Sequence, residues 1–407
     1  MERIIKNTKI LIVFKTIIAV CGFLSTSLIT RYLGAFGYSQ YSYIFSLGIN
    51  FYIFADFGLS INLIRSVARK TYSTDLLHNT LAARLLLSVV SFILMIVYVS
   101  IIGQLRDMYV ALILIGLYQA LQMLSLTHEA YLQGAQDFLR ALVPQVTVAV
   151  LSLIGVVFTI MQRGTMLHIF FVMLCAQAMG LWMYMYFNHT ILYFRYDFKK
   201  IYTLIRAYIP LALGVMLASL YFKIDVVILG FMFPPLHNTA VGIYAVSYKW
   251  FEISIVFSGY IIQALFPYFS SIQEKKILHN AVKKYFIIIA SISVCVAVGI
   301  FAFAPFLVEI IGGSEFSMSA QSLRILSLAI VPTLIGGYFT SIILSLKKDM
   351  SYLVIGCIAV ILNVALNIIY IPQFSYIATS WNTVITQLCI MCGYGVILYS
   401  LVYKDQT

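Results

Sequence analysis

The sequence predicts an all-α integral membrane protein with about twelve transmembrane helices in two six-helix lobes. Of its 407 residues, 62% are hydrophobic and only 10% are charged, whereas soluble domains carry roughly 25% charged residues. The apolar residues recur in runs of about 20, the length that spans the hydrocarbon core of a bilayer. The sequence lacks the period-2 alternation of short strands, so helices rather than a barrel are expected to satisfy the backbone within lipid.

Twelve runs meet this length criterion, and they justify the predicted elements in order. The first follows basic residues, but it is long enough to span and further spans follow, which favours an uncleaved helix over a signal peptide. The connection at 189–206 separates two sets of six, which predicts an N-terminal lobe over 1–195 and a C-terminal lobe over 196–407. The runs lie near 10–30, 41–64, 80–103, 108–132, 141–161, 166–188, 207–231, 240–266, 284–306, 323–345, 352–371 and 376–402.

Weak internal repetition supports the division into lobes. The segment YLQGAQDF from Tyr131 closes the fourth run, and ILSLKKDM from Ile343 closes the tenth. Likewise GYSQY from Gly37 enters the second run, and GIYAV from Gly242 enters the eighth. Two halves with the same orientation are typical of parallel repeats about an axis along the membrane normal.

The positive charge is distributed unevenly between the two sides. With the N-terminus inside, eighteen Lys and Arg residues fall in inner segments and four in outer segments. This bias predicts cytoplasmic termini. The net charge of +12 is therefore attributed to topology and to contact with anionic membrane lipids, not to nucleic acid.

No motif in the sequence indicates an enzyme, a cofactor or a metal site. A P-loop, HExxH and GxSxG are all absent, and no loop is long enough to hold a catalytic domain. Cys389 and Cys392 have a CxxC spacing. No further Cys or His cluster accompanies them, so we interpret them as small apolar residues within a span.

Ionisable residues inside the spans are the informative positions, because each is costly unless it faces water or a partner. Lys249 and Glu252 are three residues apart and either pair on one helix face or place a cavity cation beside an acid. Lys223 and Asp225 are two residues apart and point in different directions, which favours a wet lumen. Asp56 either pairs with Arg84 or contacts substrate. Arg31 is either a topology residue or a cation at a cavity mouth.

Several of these segments, in order and spacing, resemble the polysaccharide-exporter branch of the multidrug/oligosaccharidyl-lipid/polysaccharide (MOP) superfamily, specifically the Wzx O-antigen flippases. The resemblance extends from about residue 5 to 400. One departure follows Ile371, where IPQFSYIATS lacks the glycine-containing turn that the family usually has after the proline closing helix eleven. The matching segments are RYLGAFGYSQYSYIFSL from Arg31, ADFGLSINLIRSVAR from Ala55, YLQGAQDF from Tyr131, KIDVVILGFM from Lys223, VGIYAVSYKW from Val241 and ALFPYFS from Ala264.

The resemblance implies a MATE-like fold with alternating access around a cationic cavity in a bacterial inner membrane. Its implied substrate is an undecaprenyl-pyrophosphate-linked oligosaccharide, moved from the cytoplasmic to the outer leaflet for O-antigen or capsule assembly. A polysaccharide polymerase and a chain-length regulator are the implied protein partners. The expected cations around the pyrophosphate are Arg31, Arg84, Lys223 and Lys249, and the expected coupling or ion-pairing acids are Asp56, Asp225 and Glu252.

Other interpretations remain open on the sequence alone. A multidrug or cation antiporter would share the fold, and the spans hold as many acidic as basic residues. A lipid II flippase or a teichoic-acid exporter is a related alternative. A membrane polysaccharide polymerase or glycosyltransferase belongs to a different class, and it would need a catalytic site and commonly a large external loop.

Overall fold

A computed structural model describes residues 2–68, 74–103, 108–188, 209–235, 237–272, 274–346 and 348–402. Within these ranges the chain is helical and no strand occurs. The predicted all-α class is therefore confirmed. Inside lipid, a single apolar run of about 20 residues satisfies its backbone hydrogen bonds by forming a helix.

We number the eleven described α-helices in chain order. α1 and α11 are much longer than one bilayer crossing, and each contains a non-helical residue. One short 3₁₀ turn, Ser314–Phe316, precedes α10. The helices are α1 Glu2–Asp56, α2 Leu59–Ala68, α3 Thr74–Ile102, α4 Tyr109–Gly134, α5 Phe138–Met161, α6 Met166–Phe187, α7 Ile209–Met232, α8 Ala240–Ser271, α9 Lys275–Gly312, α10 Ser319–Ser345 and α11 Asp349–Val402.

Eight segments among the described residues are long and apolar enough to cross a membrane. The longest, within α1 and α11, have 44 and 52 residues, about twice the length that one crossing requires. Exposed Ile, Val, Phe and Leu side chains cover these helices, as expected for surfaces that face lipid rather than water. The chain is a multi-pass membrane protein, and its number of spans, about twelve, stays a prediction.

The break in α1 corrects the predicted first loop. The sequence placed a non-helical connection between residues 30 and 41, but the chain is helical on both sides of a single residue, Gly34. Gly34 has φ 65° and ψ −179°, a conformation that is essentially restricted to glycine. Gly34 alone therefore makes the turn that the sequence predicts over residues 31–40.

The second predicted run, 41–64, is also interrupted. α1 ends at Asp56, and Phe57 and Gly58 have φ values of 38° and 69°. The Asn62 N–H then donates to the Gly58 carbonyl (3.2 Å) as α2 begins. The turn lies in the ADFGLS segment, where the sequence remains largely apolar. Only the backbone angles therefore reveal this break.

The break in α11 falls where the sequence lacks the expected glycine. Ser375 has φ 51° and ψ −135°, so the chain makes a left-handed turn three residues after Pro372 without a glycine. A non-glycine residue in this region costs on the order of 1–3 kcal/mol. The turn is present in this chain although the sequence pattern for it is not.

The chain separates into two compact units. Unit 1 comprises Met1–Leu33 and Ile44–Met216, and unit 2 comprises Gly34–Tyr43 and Leu217–Thr407. A core around Leu63, Leu81 and Leu124 lies within unit 1, and one around Phe269, Tyr338 and Leu398 lies within unit 2. The predicted lobe boundary at 195/196 falls in 189–208, outside the described residues, so the predicted lobes stay a prediction.

We expect Ser375→Gly to stabilise the protein, because glycine adopts this φ without the steric cost of a Cβ. The predicted gain is about 1 kcal/mol, seen as a higher apparent unfolding temperature in detergent. The matched control is Ser400→Gly within the regular part of α11, where glycine should cost about 0.5 kcal/mol. Changes of the same sign in both variants would contradict the assignment of strain to Ser375.

Candidate functional site

A buried carboxylate lies at the centre of unit 2. Asp225 on α7 is 2% exposed and accepts three hydrogen bonds from neutral side chains. Asn367 Nδ2 donates to Oδ1 (2.7 Å), while Thr383 Oγ1 and the Tyr244 hydroxyl donate to Oδ2 (3.1 Å each). α8 and both segments of α11 therefore supply the donors around one acid of α7.

Further amides position the donor Asn367. Its Oδ1 accepts from Asn382 Nδ2 (2.9 Å), and its Nδ2 also donates to Asn363 Oδ1 (3.0 Å). Asn363 and Asn367 are four residues apart on α11, and Asn382 follows the Ser375 break. All three side chains are buried. The break at Ser375 thus returns α11 so that its second segment completes the polar centre of its first.

A second polar chain runs beside this centre. The hydroxyls of Ser247, Ser322 and Ser380 are joined in sequence by two contacts of 2.7 Å. They connect α8, α10 and the second segment of α11. Hydrogen bonds between small polar residues stabilise the association of transmembrane helices, although each bond contributes only about 1 kcal/mol. Ser247 and Ser380 lie three residues from Tyr244 and Thr383, about one helix turn from these donors to Asp225.

The Asp225 centre can bind a proton or a cation. Among the described residues, no Lys or Arg lies within ion-pair distance of Asp225. An ionised carboxylate buried without a counter-charge costs several kcal/mol. Asp, Asn, Thr and Tyr all carry oxygens, the ligands that hard cations prefer. In the described ranges, no three or more His, Cys, Asp or Glu residues lie close enough together to hold a metal ion. The centre therefore offers one carboxylate and neutral oxygens.

The ion pair between Asp56 and Arg84, predicted as one of two alternatives for Asp56, is present in unit 1. Arg84 on α3 is fully buried, and its Nη2 donates to Asp56 Oδ1 and to Ser60 Oγ. Its Nη1 donates to the Met123 carbonyl (3.0 Å) and to Thr127 Oγ1 (2.9 Å). Contact between Arg84 and a substrate would require the pair with Asp56 to separate.

The other predicted site residues fall in different surroundings. Lys249 Nζ lies 3.3 Å from Glu252 Oε2, and both side chains are about one-third exposed. Arg31 is exposed in unit 1, three residues before the Gly34 break. The side chain of Lys223 lies outside the described residues. The structure therefore brings Asp56 to Arg84 and Lys249 to Glu252, and it places Asp225 among neutral donors.

Sequence reasoning missed part of the Asp225 centre. Asn363 and Asn367 are four residues apart and form a polar stripe that is visible in the sequence, but Tyr244, Asn382 and Thr383 were not singled out. Thr379 and Thr383 are also four residues apart on the second segment of α11, and Asn382 directly precedes Thr383. That spacing was available in the sequence, whereas the convergence of both segments on α7 was not.

Solved structures show what class of protein this fold defines. An inward-facing multidrug resistance MATE family transporter of the MOP superfamily is 14% identical and has a TM-score of 0.67, covering 96% of each chain. A MOP superfamily transporter from Pyrococcus furiosus, described as having a binding pocket of reverse polarity, is 15% identical with a TM-score of 0.63 over 98% of this chain and 96% of its own. The fold is that of MATE-like membrane transporters.

The family follows from the sequence itself. The model of the polysaccharide biosynthesis protein family matches residues 4–273, more than half of the chain. The chain belongs to this family. Its fold is the one that MATE-like transporters have, and the predicted resemblance is confirmed at this level. A comparison with curated proteins gives no significant match.

We expect Arg84→Met and Asp56→Ala to destabilise the protein singly, because Asp56→Ala leaves the buried Arg84 without its partner, and Arg84→Met leaves Asp56, 27% exposed, without its own. The loss should be about 3 kcal/mol for Asp56→Ala, less for Arg84→Met, and smaller for the double variant than the two losses together. Apparent unfolding temperatures of all four proteins in detergent measure this. Additive losses would show that the pair contributes no coupling.

Proposed function

We propose that this protein is a flippase for lipid-linked oligosaccharides. It would move undecaprenyl-pyrophosphate-linked repeat units from the cytoplasmic to the outer leaflet of a bacterial inner membrane, with both termini cytoplasmic. The observation that carries the proposal is the match to a polysaccharide biosynthesis family in a chain that has a transporter fold. O-antigen or capsule assembly would consume the product, with a polymerase and a chain-length regulator as partners.

Exposed cations support an anionic headgroup as part of the substrate. Arg31 is exposed, and Lys249 is one-third exposed beside Glu252. Either side chain is exposed enough to contact a pyrophosphate in addition to the partners that it already has. Charge-assisted hydrogen bonds to phosphate are about twice as strong as neutral ones. We propose Arg31 and Lys249 as headgroup contacts, with Lys223 as a third cation and Arg84 as one that acts only when its pair opens.

The Asp225 centre supports ion coupling. A proton or a monovalent cation bound there removes the uncompensated charge, and its release restores that charge. Because donors from α8 and α11 bond to the acid of α7, occupancy changes the bonding among three helices at once. We propose that this exchange drives the conformational cycle. Glu252 stays the predicted alternative, although its pairing with Lys249 makes it less dependent on an added cation.

The second candidate is a multidrug or cation antiporter. It is favoured by the likeness to a multidrug resistance MATE transporter and by the buried acid Asp225, which an antiporter could use for a cationic substrate. The polysaccharide family model is the observation that ranks it below the flippase.

Deletion of the gene in its host separates these functions. A flippase predicts loss of surface polymer with complete single repeat units accumulating on the cytoplasmic face. Unchanged polysaccharide with altered drug sensitivity would favour the antiporter. Repeat units that reach the outer face without being polymerised would overturn the flippase proposal.

We expect Asp225→Asn to reduce complementation of that deletion at least ten-fold while the protein still folds. Asparagine keeps one acceptor oxygen for Thr383 and Tyr244, but it cannot carry the charge that binds a cation. The matched control is Asp137→Asn, where the side chain caps α5 at the Arg140 N–H and asparagine caps equally well. Full complementation by Asp225→Asn at equal membrane abundance would contradict a coupling role.

A further inference from the structure

The segment 34–43 is held within unit 2 although it precedes Ile44–Asp56 of unit 1 in the same helix. We propose that this segment is a latch that must release its contacts within unit 2 during transport, with Glu315 as its positioning residue. The inference rests on the proposed transport function only in that a transporter must open on both sides. Its test does not depend on which substrate is carried.

The first contact is a helix cap supplied from a distant part of the chain. The Ala35 N–H, the first after the Gly34 break, donates to Glu315 Oε2 at 3.0 Å. The first turn of a helix has unsatisfied N–H groups and a partial positive charge, so a carboxylate there is favourable. Glu315 lies in the 3₁₀ turn between α9 and α10, 280 residues further along the chain.

The fit at Gly34 is specific to this arrangement. A Cβ on Gly34 would lie 2.9 Å from Glu315 Oε2, and the residue's φ of 65° disfavours any side chain. Glycine therefore allows both the break and the close approach of the carboxylate. A turn that merely linked two spans would not need to admit a side chain from α9–α10.

The second contact is a close approach of two helices at corresponding repeats. The Gly242 N–H of α8 donates to Ser39 Oγ at 3.0 Å. A Cβ on Gly242 would lie 2.9 Å from the Ala35 carbonyl oxygen and 3.2 Å from Ser39 Cα. The small residues Ala35 and Ser39 are one turn apart, as in membrane helices whose backbones approach closely. The repeated segments GYSQY and GIYAV thus pack against each other.

Two aromatic residues of the segment, Tyr38 and Tyr43, make the remaining contacts. The Tyr38 ring packs edge-to-face on Phe316 at a centroid distance of 5.9 Å. Gly230 of α7 accommodates the Tyr43 ring, since a Cβ there would lie 2.2 Å from it. From Gly34 to Tyr43, one turn after another is therefore matched to α7, α8 or the 3₁₀ turn.

The consequence follows from chain connectivity. Residues 44–56 continue the same helix beyond unit 2, so a movement of that helix either pulls 34–43 away from its contacts or bends the helix near Tyr43. The charge distribution of the sequence predicts that Arg31 and the α9–α10 turn lie on the outer side. Release of Glu315 from Ala35 is then the step that frees the segment.

The first test measures access to Ser42, a buried residue in the latch whose hydroxyl has no hydrogen-bond partner. The six native cysteines are replaced with alanine and Ser42→Cys is introduced as a reporter. An impermeant maleimide is applied from the outer side. We expect Glu315→Ala to raise the labelling rate about five-fold, the effect of losing one helix cap on an equilibrium. Ser317→Ala, in the exposed part of the same connection, should leave the rate unchanged.

The outcome separates a latch from an ordinary stabilising contact. If Glu315→Ala lowers the protein's unfolding temperature and labels Ser42→Cys no faster than Ser317→Ala does, Glu315 is only a structural cap and the proposal is wrong. Glu315→Gln retains an acceptor oxygen without charge, so its labelling rate should lie between those of wild type and Glu315→Ala. Faster labelling in a protein whose deletion leaves polysaccharide unchanged would keep the latch and reject the flippase.

A covalent lock provides the second test. Ala35→Cys and Glu315→Cys are joined in membranes by a short bis-methanethiosulfonate, which the 3.0 Å approach of Ala35 N and Glu315 Oε2 brings within reach. We expect complementation to be lost on linking and regained with a reductant, whereas Ala35→Cys alone should be insensitive. Full transport by the linked protein would show that the segment need not leave unit 2.

Discussion

The cost of burying a charge in hydrocarbon is the constraint on which the polar interior of this protein depends. Arg84 and Asp56 meet it by neutralising each other, and Arg84 is further bonded to Ser60 and Thr127. Asp225 meets it differently, because its described partners are all neutral. A paired charge is already satisfied, whereas an unpaired one is satisfied only when a proton or cation arrives. The second arrangement is therefore the one suited to a binding cycle.

Each of the two longest helices is divided by a single non-helical residue. Gly34 divides α1, and Ser375 divides α11. At Ser375 the return of the chain brings Asn382 and Thr383 back to Asn367 and Asp225. At Gly34 it exposes a helix N-terminus to Glu315. At Gly34 the break leaves the Ala35 N–H without a partner in its own helix, and the distant Glu315 accepts its hydrogen bond.

The fold class could be predicted because it follows from composition and run length, which are properties of the sequence alone. Charge asymmetry and the order of the family segments could likewise be read directly. Connections were predicted at 31–40 and at 372–375, which contain Gly34 and Ser375, but the sequence did not show that a single non-helical residue makes each turn. The break at Phe57 and Gly58 lies inside the predicted run 41–64 and was missed, because the sequence stays apolar there and dihedral angles leave no trace in hydropathy. Of the site, Asp225 was predicted from its cost inside lipid, and the Asn363–Asn367 stripe is visible as a four-residue spacing.

The remaining site residues could not be predicted because their importance lies in convergence. Thr383 and Tyr244 are unremarkable in a membrane helix, where hydroxyls usually bond to their own backbone. Only the return of α11 makes Thr383 a donor to an acid 158 residues away. Glu315 is similarly an ordinary exposed acid until the Gly34 break supplies Ala35 as its partner. Both cases depend on a broken helix, which is why the sequence did not reveal these residues. A helix that is already interrupted can change its partners without breaking its own internal hydrogen bonds, and the proposed release of these contacts requires that property.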